Sequence, residues 1–213
     1  MTDVVFLVAD KNMECVLRGL LETESPHMRI GCGPFTSTII VATGQNDPGL
    51  YTRAGEFLRG LRALHSHVVV MMDVQWQGSP GAERIRKRLR EHILAAGWPE
   101  QDAVGLAIDP EIDAWLWTGT DHTSRALGWS TMEALGSSLQ QAGYLQQGSS
   151  KPACPKEAAE WALRQVRKPR SSTVYAAVSC RASLARCSDP ALRLLLDTLR
   201  RWFPDAAAGV ETC

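Results

Sequence analysis

Four short apolar runs, each followed by a helical pattern, constrain this chain more than any other feature. They are Val4–Ala9 (VVFLVA), Thr36–Gly44 (TSTIIVATG), His67–Asp73 (HVVVMMD) and Ala103–Ile108 (AVGLAI). Runs this short and continuous, rich in β-branched residues, are the pattern of strands buried on both faces. Between them the apolar positions change to a helical period. Met13, Val16, Leu17, Leu20 and Leu21 draw one stripe; Tyr51, Ala54, Phe57, Leu58, Leu61 and Leu64 draw a second. Ile85, Leu89 and Ile93 draw a third, and NDPGL (46–50) reads as a turn. Alternating strands and amphipathic helices predict an α/β fold with a four-stranded parallel sheet flanked by helices. Ligands in such folds bind beyond the carboxyl ends of the strands.

After about residue 120 the strand pattern stops. Segments DHTSRALGW, STMEALGSSLQQAGYL, PKEAAEWALRQV, STVYAAVSCRASLARC and DPALRLLLDTLRRWF all read as helices. The expected organisation is an α/β domain over 1–120, a helical extension over 121–206 packed on it, and a frayed tail over 207–213. QQGSSKPACP (146–155) and VRKPRSS (166–172) are the expected breaks. With 213 residues, 45% of them hydrophobic, the chain can build one substantial core.

The six cysteines form no CxxC pair, which argues against a disulfide framework or a zinc site. No signal peptide or apolar span of membrane length is visible, and the expectation is a cytoplasmic protein with no membrane partner. No GxSxG, P-loop or GxGxxG motif occurs, and His65, His67 and His92 have no paired nucleophile. Cys32 lies between two glycines with nothing nearby to activate its thiol.

The strand ends are acidic. Asp10 and Glu14 follow the first run, Asp73 closes the third, and Asp109, Glu111 and Asp113 follow the fourth. Carboxylates converging from neighbouring strand ends suit Mg²⁺ or Mn²⁺, which take oxygen ligands and can serve phosphoryl chemistry. Capping is the competing reading. Asp109-Pro110-Glu111 has the form of a helix start, Asp189-Pro190 repeats it, and Asp10 can cap the first helix. Asp73 is hardest to assign to a cap, although a strand-end Asp can also bond loop amides. In EIDAWLW, a helical turn places Ile112, Trp115 and Leu116 on the buried face, Glu111 at its edge and Asp113 farther round. Trp115 and Trp117 read as packing residues.

This arrangement resembles the Toprim fold, a Rossmann-like sheet found in topoisomerases, primases and nucleases of antiviral defence. The segments VADKNMECVLRGLL, NDPG, MMDVQWQG, GWPEQDAVGLAIDPEIDAWLW, ALGW, RKPRSS and DPALRLLLDTLRRWFP, in that order, cover nearly the whole chain. Together they are similar to a small bacterial family identified with the fourth component of methylation-associated phage defence systems. The resemblance implies a role in phage defence alongside other proteins of the system, among them a methyltransferase. Toprim enzymes place a Glu at the end of the first strand as general acid/base and an Asp-x-Asp after the third for Mg²⁺. Here those positions fall on Ala9, beside Asp10, and on Asp73-Val74-Gln75. The resemblance therefore carries Asp10, Glu14, Asp73 and Glu111 as catalytic candidates, and Asp73, Gln75, Glu111 and Asp113 as metal-ligand candidates. The missing acids favour a degenerate Toprim adaptor or sensor; the alternative is a Mg²⁺- or Mn²⁺-dependent nuclease acting on phosphodiesters.

The charge is uneven although it sums to zero. Residues 1–150 carry 12 Lys+Arg against 17 Asp+Glu, and residues 151–203 carry 11 against 4. Arg164, Arg167, Lys168 and Arg170 cluster before Ser171 and Ser172, which can cap a new helix, and Arg181, Arg186, Arg193, Arg200 and Arg201 extend the basic character. With Lys11, the four clustered cations are the candidate contacts to DNA or RNA. The competing readings are a solvated helical face and a surface for an acidic partner, since no groove-reading motif is present.

Overall fold

The computed structural model describes residues 2–44, 46–182, 184 and 189–205. Arg186, Cys187, Cys213 and the tail expected to fray over 207–213 lie outside the described residues. The element order begins with β1 (Thr2–Val8), α1 (Lys11–Leu21), α2 (Pro26–Ile30), β2 (Ser37–Val41), α3 (Asn46–Leu61) and β3 (His65–Asp73). It continues with α4 (Ala82–Ala95), β4 (Ala103–Ile108), α5 (Asp121–Ala126), α6 (Met132–Gln141), α7 (Pro155–Gln165), α8 (Thr173–Ser179) and α9 (Pro190–Trp202). Short 3₁₀ helices precede and follow β4, at Glu100–Asp102 and Ile112–Leu116.

The four strands are all parallel, in the order β2-β1-β3-β4. β1 and β3 form the centre, and Val4–Val8 and Val68–Met72 are fully buried. That is why these two runs show no polar alternation: neither face meets water. The edge strand β2 is only half-buried along its length. Helices flank the sheet, with α3 packed on α4, α4 on β4, and α1 on α8. One hydrophobic core runs from β1 to α9, taking in Trp98, Trp117, Leu135, Leu163, Tyr175 and Leu199.

Two close approaches depend on glycine. A Cβ at Gly105 of β4 would lie 2.7 Å from the Leu89 Cβ of α4. A Cβ at Gly19 of α1 would lie 2.0 Å from Ser179 Oγ and 2.6 Å from the Ala176 carbonyl oxygen of α8. The helical extension therefore meets the α/β part backbone to backbone at α1–α8.

α9 and the residue after it bind segments far earlier in the chain, from Ile30 to Gln101. Asp189 caps α9 by accepting from the Leu192 N–H at 2.9 Å, as its sequence predicts. Arg200 Nε then donates to the Ile30 carbonyl (2.7 Å), and Trp202 Nε1 to that of Gln101 (2.7 Å). Phe203 accepts from the Gly33 N–H (2.8 Å) and stacks on Phe35, while Trp202 stacks on His67.

Three local expectations are corrected. NDPG is the first turn of α3 and not a free turn. Asp109-Pro110 is a cis peptide, and Glu111 takes the cap position of a 3₁₀ helix, so Pro110 does not open an α-helix. Ser172 sits at the cap position of α8 without a capping side-chain bond.

Candidate functional site at the carboxyl edge of the sheet

In the order β2-β1-β3-β4, the chain leaves β1 toward one side to reach β2 and returns on the other to reach β3. The crevice beyond the ends of β1 and β3 is the topological switch point, where α/β folds bind ligands. Asp10 lies two residues beyond β1 and Asp73 is the last residue of β3, so both stand at the carboxyl ends of the two central strands.

Asp10 is the N-cap of α1, accepting from the Met13 N–H at 2.9 Å. Glu14 is buried one turn on and fully paired: Lys11 Nζ reaches it at 2.7 Å and Arg18 at 2.8–2.9 Å. Burial pushes its carboxyl up, but the Lys11 and Arg18 bonds prevail and hold it below its usual value. Lys11 is thereby engaged with Glu14.

Asp73 is buried, and its Oδ1 accepts the Ile112 N–H at 2.7 Å. The loop after β3 is stitched to the loop after β4: Val74 N–H donates to Ile108 O and Gln75 N–H to Pro110 O, both at 2.9 Å. Gln75 itself is exposed. Asp73 N–H donates to Asp47 Oδ1 at 2.6 Å. Asp47, in the first turn of α3, is thus a member of the site that the sequence reading missed. Its one signal was its place as the first acid after the second strand, which the NDPG turn pattern concealed.

Burial first, then the neighbouring charges of Asp47 and Asp10, push Asp73 well above the ordinary carboxylate range. Burial, and to a lesser degree Asp10, lifts Asp47 to about 6. Burial and Asp113 lift Glu111 to about 7, opposed by Lys156, whose Nζ lies 3.9 Å away. Asp113 is sealed on the other side. Tyr175 Oη donates to its Oδ1 (2.8 Å), and Arg170 Nη2 reaches the same oxygen (3.1 Å) while donating to Tyr175 Oη (2.8 Å). Burial still leaves the Asp113 carboxyl raised, against the pull of Tyr175 and Arg170. Burial and Asp113 push the Tyr175 hydroxyl far up, so it stays a donor.

The nucleic-acid candidates are divided by this geometry. Arg170 is consumed by Asp113, Tyr175 and Glu160 (2.7 Å), and Arg164 sits 4.0 Å from Glu160. Arg167 adopts a left-handed backbone (φ 55°) that ends α7, and Lys168 turns back to the Ala126 carbonyl at 2.6 Å.

The candidate ligands for Mg²⁺ or Mn²⁺ stand in different surroundings. Gln75 is exposed, Asp113 is closed by Arg170 and Tyr175, and one Asp73 oxygen is held by a backbone amide. Among the described residues, no group of three or more His, Cys, Asp or Glu side chains is disposed to hold a metal ion. Burial raises the carboxyls of Asp47, Asp73, Glu111 and Asp113 along this edge. Comparison with protein-family models, curated proteins and solved structures finds no match. Among the described residues, no helix is long and apolar enough to cross a membrane.

The raised carboxyls have a thermodynamic consequence. The folded protein binds a proton on Glu111 between 4.5 and about 7, where the unfolded chain has released it. The associated stability is present below 4.5 and is lost as pH rises through about 7. Glu111→Gln, which is neutral at every pH, should gain about 1–2 kcal/mol over the wild type near pH 8. The gain should vanish near pH 4. Urea unfolding at the two pH values checks this, and an equal effect at both would contradict it.

Proposed function

We propose that this protein is a Toprim-like component of a bacterial antiphage defence system that acts as an adaptor or sensor and not as a nuclease. The observation that carries the non-catalytic part is the Asp73 carboxylate, which is used to tie the loop after β3 to the Ile112 amide. The acids around it are similarly occupied. Asp10 caps a helix, Glu14 is paired twice, and Asp113 is closed by Tyr175 and Arg170. The defence assignment rests on the ordered sequence resemblance. In this reading the acidic edge holds the loops in register, partners from the same system bind the outer surfaces, and the basic half is the side that meets DNA or RNA.

The second reading is a metal-dependent nuclease of phosphodiesters. It is favoured by the Asp73 carboxyl, which burial raises first and the charges of Asp47, Asp10 and Glu111 raise further, a repulsion that a divalent cation would relieve. Calorimetric titration with Mn²⁺ separates the two. The adaptor reading expects no binding by the wild type, and phage protection retained by Asp73→Asn and Glu111→Gln in a plaque assay. Mn²⁺ binding that disappears in Asp73→Asn, together with lost protection by a folded variant, would establish the enzyme.

A further inference from the structure

The helical half contains a cavity of about 330 Å³ whose lining includes Arg125, Lys168 and Arg181. His122 and Arg125 reach it from α5, Lys168 from the turn after α7, Thr173 from the start of α8 and Arg181 from just beyond its end, over an apolar floor that includes Val174. No carboxylate lines it among the described residues. Asp121, at the lip, stands 4.0 Å from Arg125 and already accepts the Met132 N–H at 2.9 Å. Arg125, Lys168 and Arg181 come together from three separate segments with no carboxylate in the lining, an arrangement that draws an anion toward the cavity. Lys168 is fixed there: the left-handed turn at Arg167 reverses the chain, Lys168 N–H bonds the Leu163 carbonyl (2.9 Å), and its Nζ is anchored on Ala126. An ammonium has three donors, so two remain to face the cavity.

We propose that this cavity is a phosphate-binding site, taking the phosphate of a nucleotide either free or within a nucleic-acid strand. Arg125 and Arg181 supply forked donors suited to phosphate oxygens, Lys168 a fixed point charge, and the Thr173 hydroxyl a neutral donor. The volume matches a ligand of nucleotide size. The site deepens the reading of the basic half as the anion-binding side. It is independent of whether the acidic edge holds metal.

The test uses the full chain in four forms: wild type, Arg125→Ala/Arg181→Ala, Arg164→Ala/Arg167→Ala, and Arg84→Ala/Lys87→Ala. The last removes the same charge from the exposed face of α4, away from the cavity. All three positions sets are solvent-exposed, and circular dichroism confirms folding. Fluorescence anisotropy with a labelled single strand of about twelve nucleotides reads the strand source. Calorimetry with adenosine monophosphate reads the free source. The proposal expects at least one probe to bind, the cavity variant to weaken it about tenfold or more with a salt dependence shallower by about 2, and the α4 variant to bind nearly as wild type. Equal weakening by both variants would mean unspecific attraction and would overturn the site. An unchanged cavity variant alongside a weakened Arg164→Ala/Arg167→Ala variant would overturn the cavity while sparing the basic half. Binding of neither probe would overturn both.

Discussion

Gly19→Ala destabilises this protein by about 2–3 kcal/mol, the overpacking cost expected where backbone must move. The sign is the informative part. In an ordinary exposed helix the same change stabilises by about 1 kcal/mol, because glycine is a poor helix former. Here the added methyl would sit 2.6 Å from the Ala176 carbonyl oxygen, a backbone atom inside α8, and 2.0 Å from Ser179 Oγ. The Ser179 side chain can rotate away, but the carbonyl cannot leave without shifting the helix. Ser179→Ala in the Gly19→Ala background should therefore restore only part of the loss. Chemical denaturation of the single and double variants measures it. A neutral or stabilising Gly19→Ala would show that α1 and α8 do not approach as closely as described.

Arg170→Ala is expected to cost about 3 kcal/mol at pH 8, the penalty typical of removing one partner from a buried ion pair. The side chain of Asp113 is 3% exposed and that of Arg170 32% exposed, so the charge left behind is the one that cannot reach water. Tyr175 alone would remain to donate to it. The pH dependence identifies the cause. Without Arg170 the Asp113 carboxyl rises further, binds a proton more readily in the folded state, and the variant recovers as pH falls. The deficit should therefore be clearly smaller near pH 5. Asp113→Asn added to Arg170→Ala should remove that recovery and part of the deficit, since the amide carries no charge to strand. A deficit independent of pH would point to lost packing of the arginine stem in place of a stranded carboxylate.

These two expectations also show what the sequence made legible. The four strands and their parallel order class could be read because burial on both faces leaves an unbroken β-branched run, which is a local signal. Asp10 as a cap and Asp189-Pro190 as a helix start were readable for the same reason: capping acts over three residues. The candidate site was legible only in part. Asp73 and Glu111 fall at strand ends, but Asp47 joins them because β2 and β3 flank the same central strand. Its own surroundings, NDPG, carry a turn pattern that here begins a helix. The fate of Arg170 was not readable at all. Its neighbours make it one of a run of cations, whereas its partner Asp113 lies 57 residues earlier. A charge count records what a segment carries and not what the fold has already neutralised. The helix geometry of 111–117 failed for a smaller reason. A 3₁₀ turn of three residues per turn, in a segment buried throughout, leaves no exposed face on which to set Asp113 aside from Glu111.

The grip of α9 on segments from Ile30 to β4 sets the order of synthesis against the order of folding. A ribosome delivers β1, α2 and the start of β2 long before Arg200 exists to bond Ile30 or Phe203 to meet Gly33. Until residues 190–203 emerge, Phe35, His67 and the β4 side of the sheet lack the covering they have in the finished molecule. Contacts of such long sequence separation form slowly. The surfaces that α9 and Phe203 cover therefore stay uncovered from their own synthesis until residues 190–203 emerge, and a chaperone or an early-arriving partner would find them there.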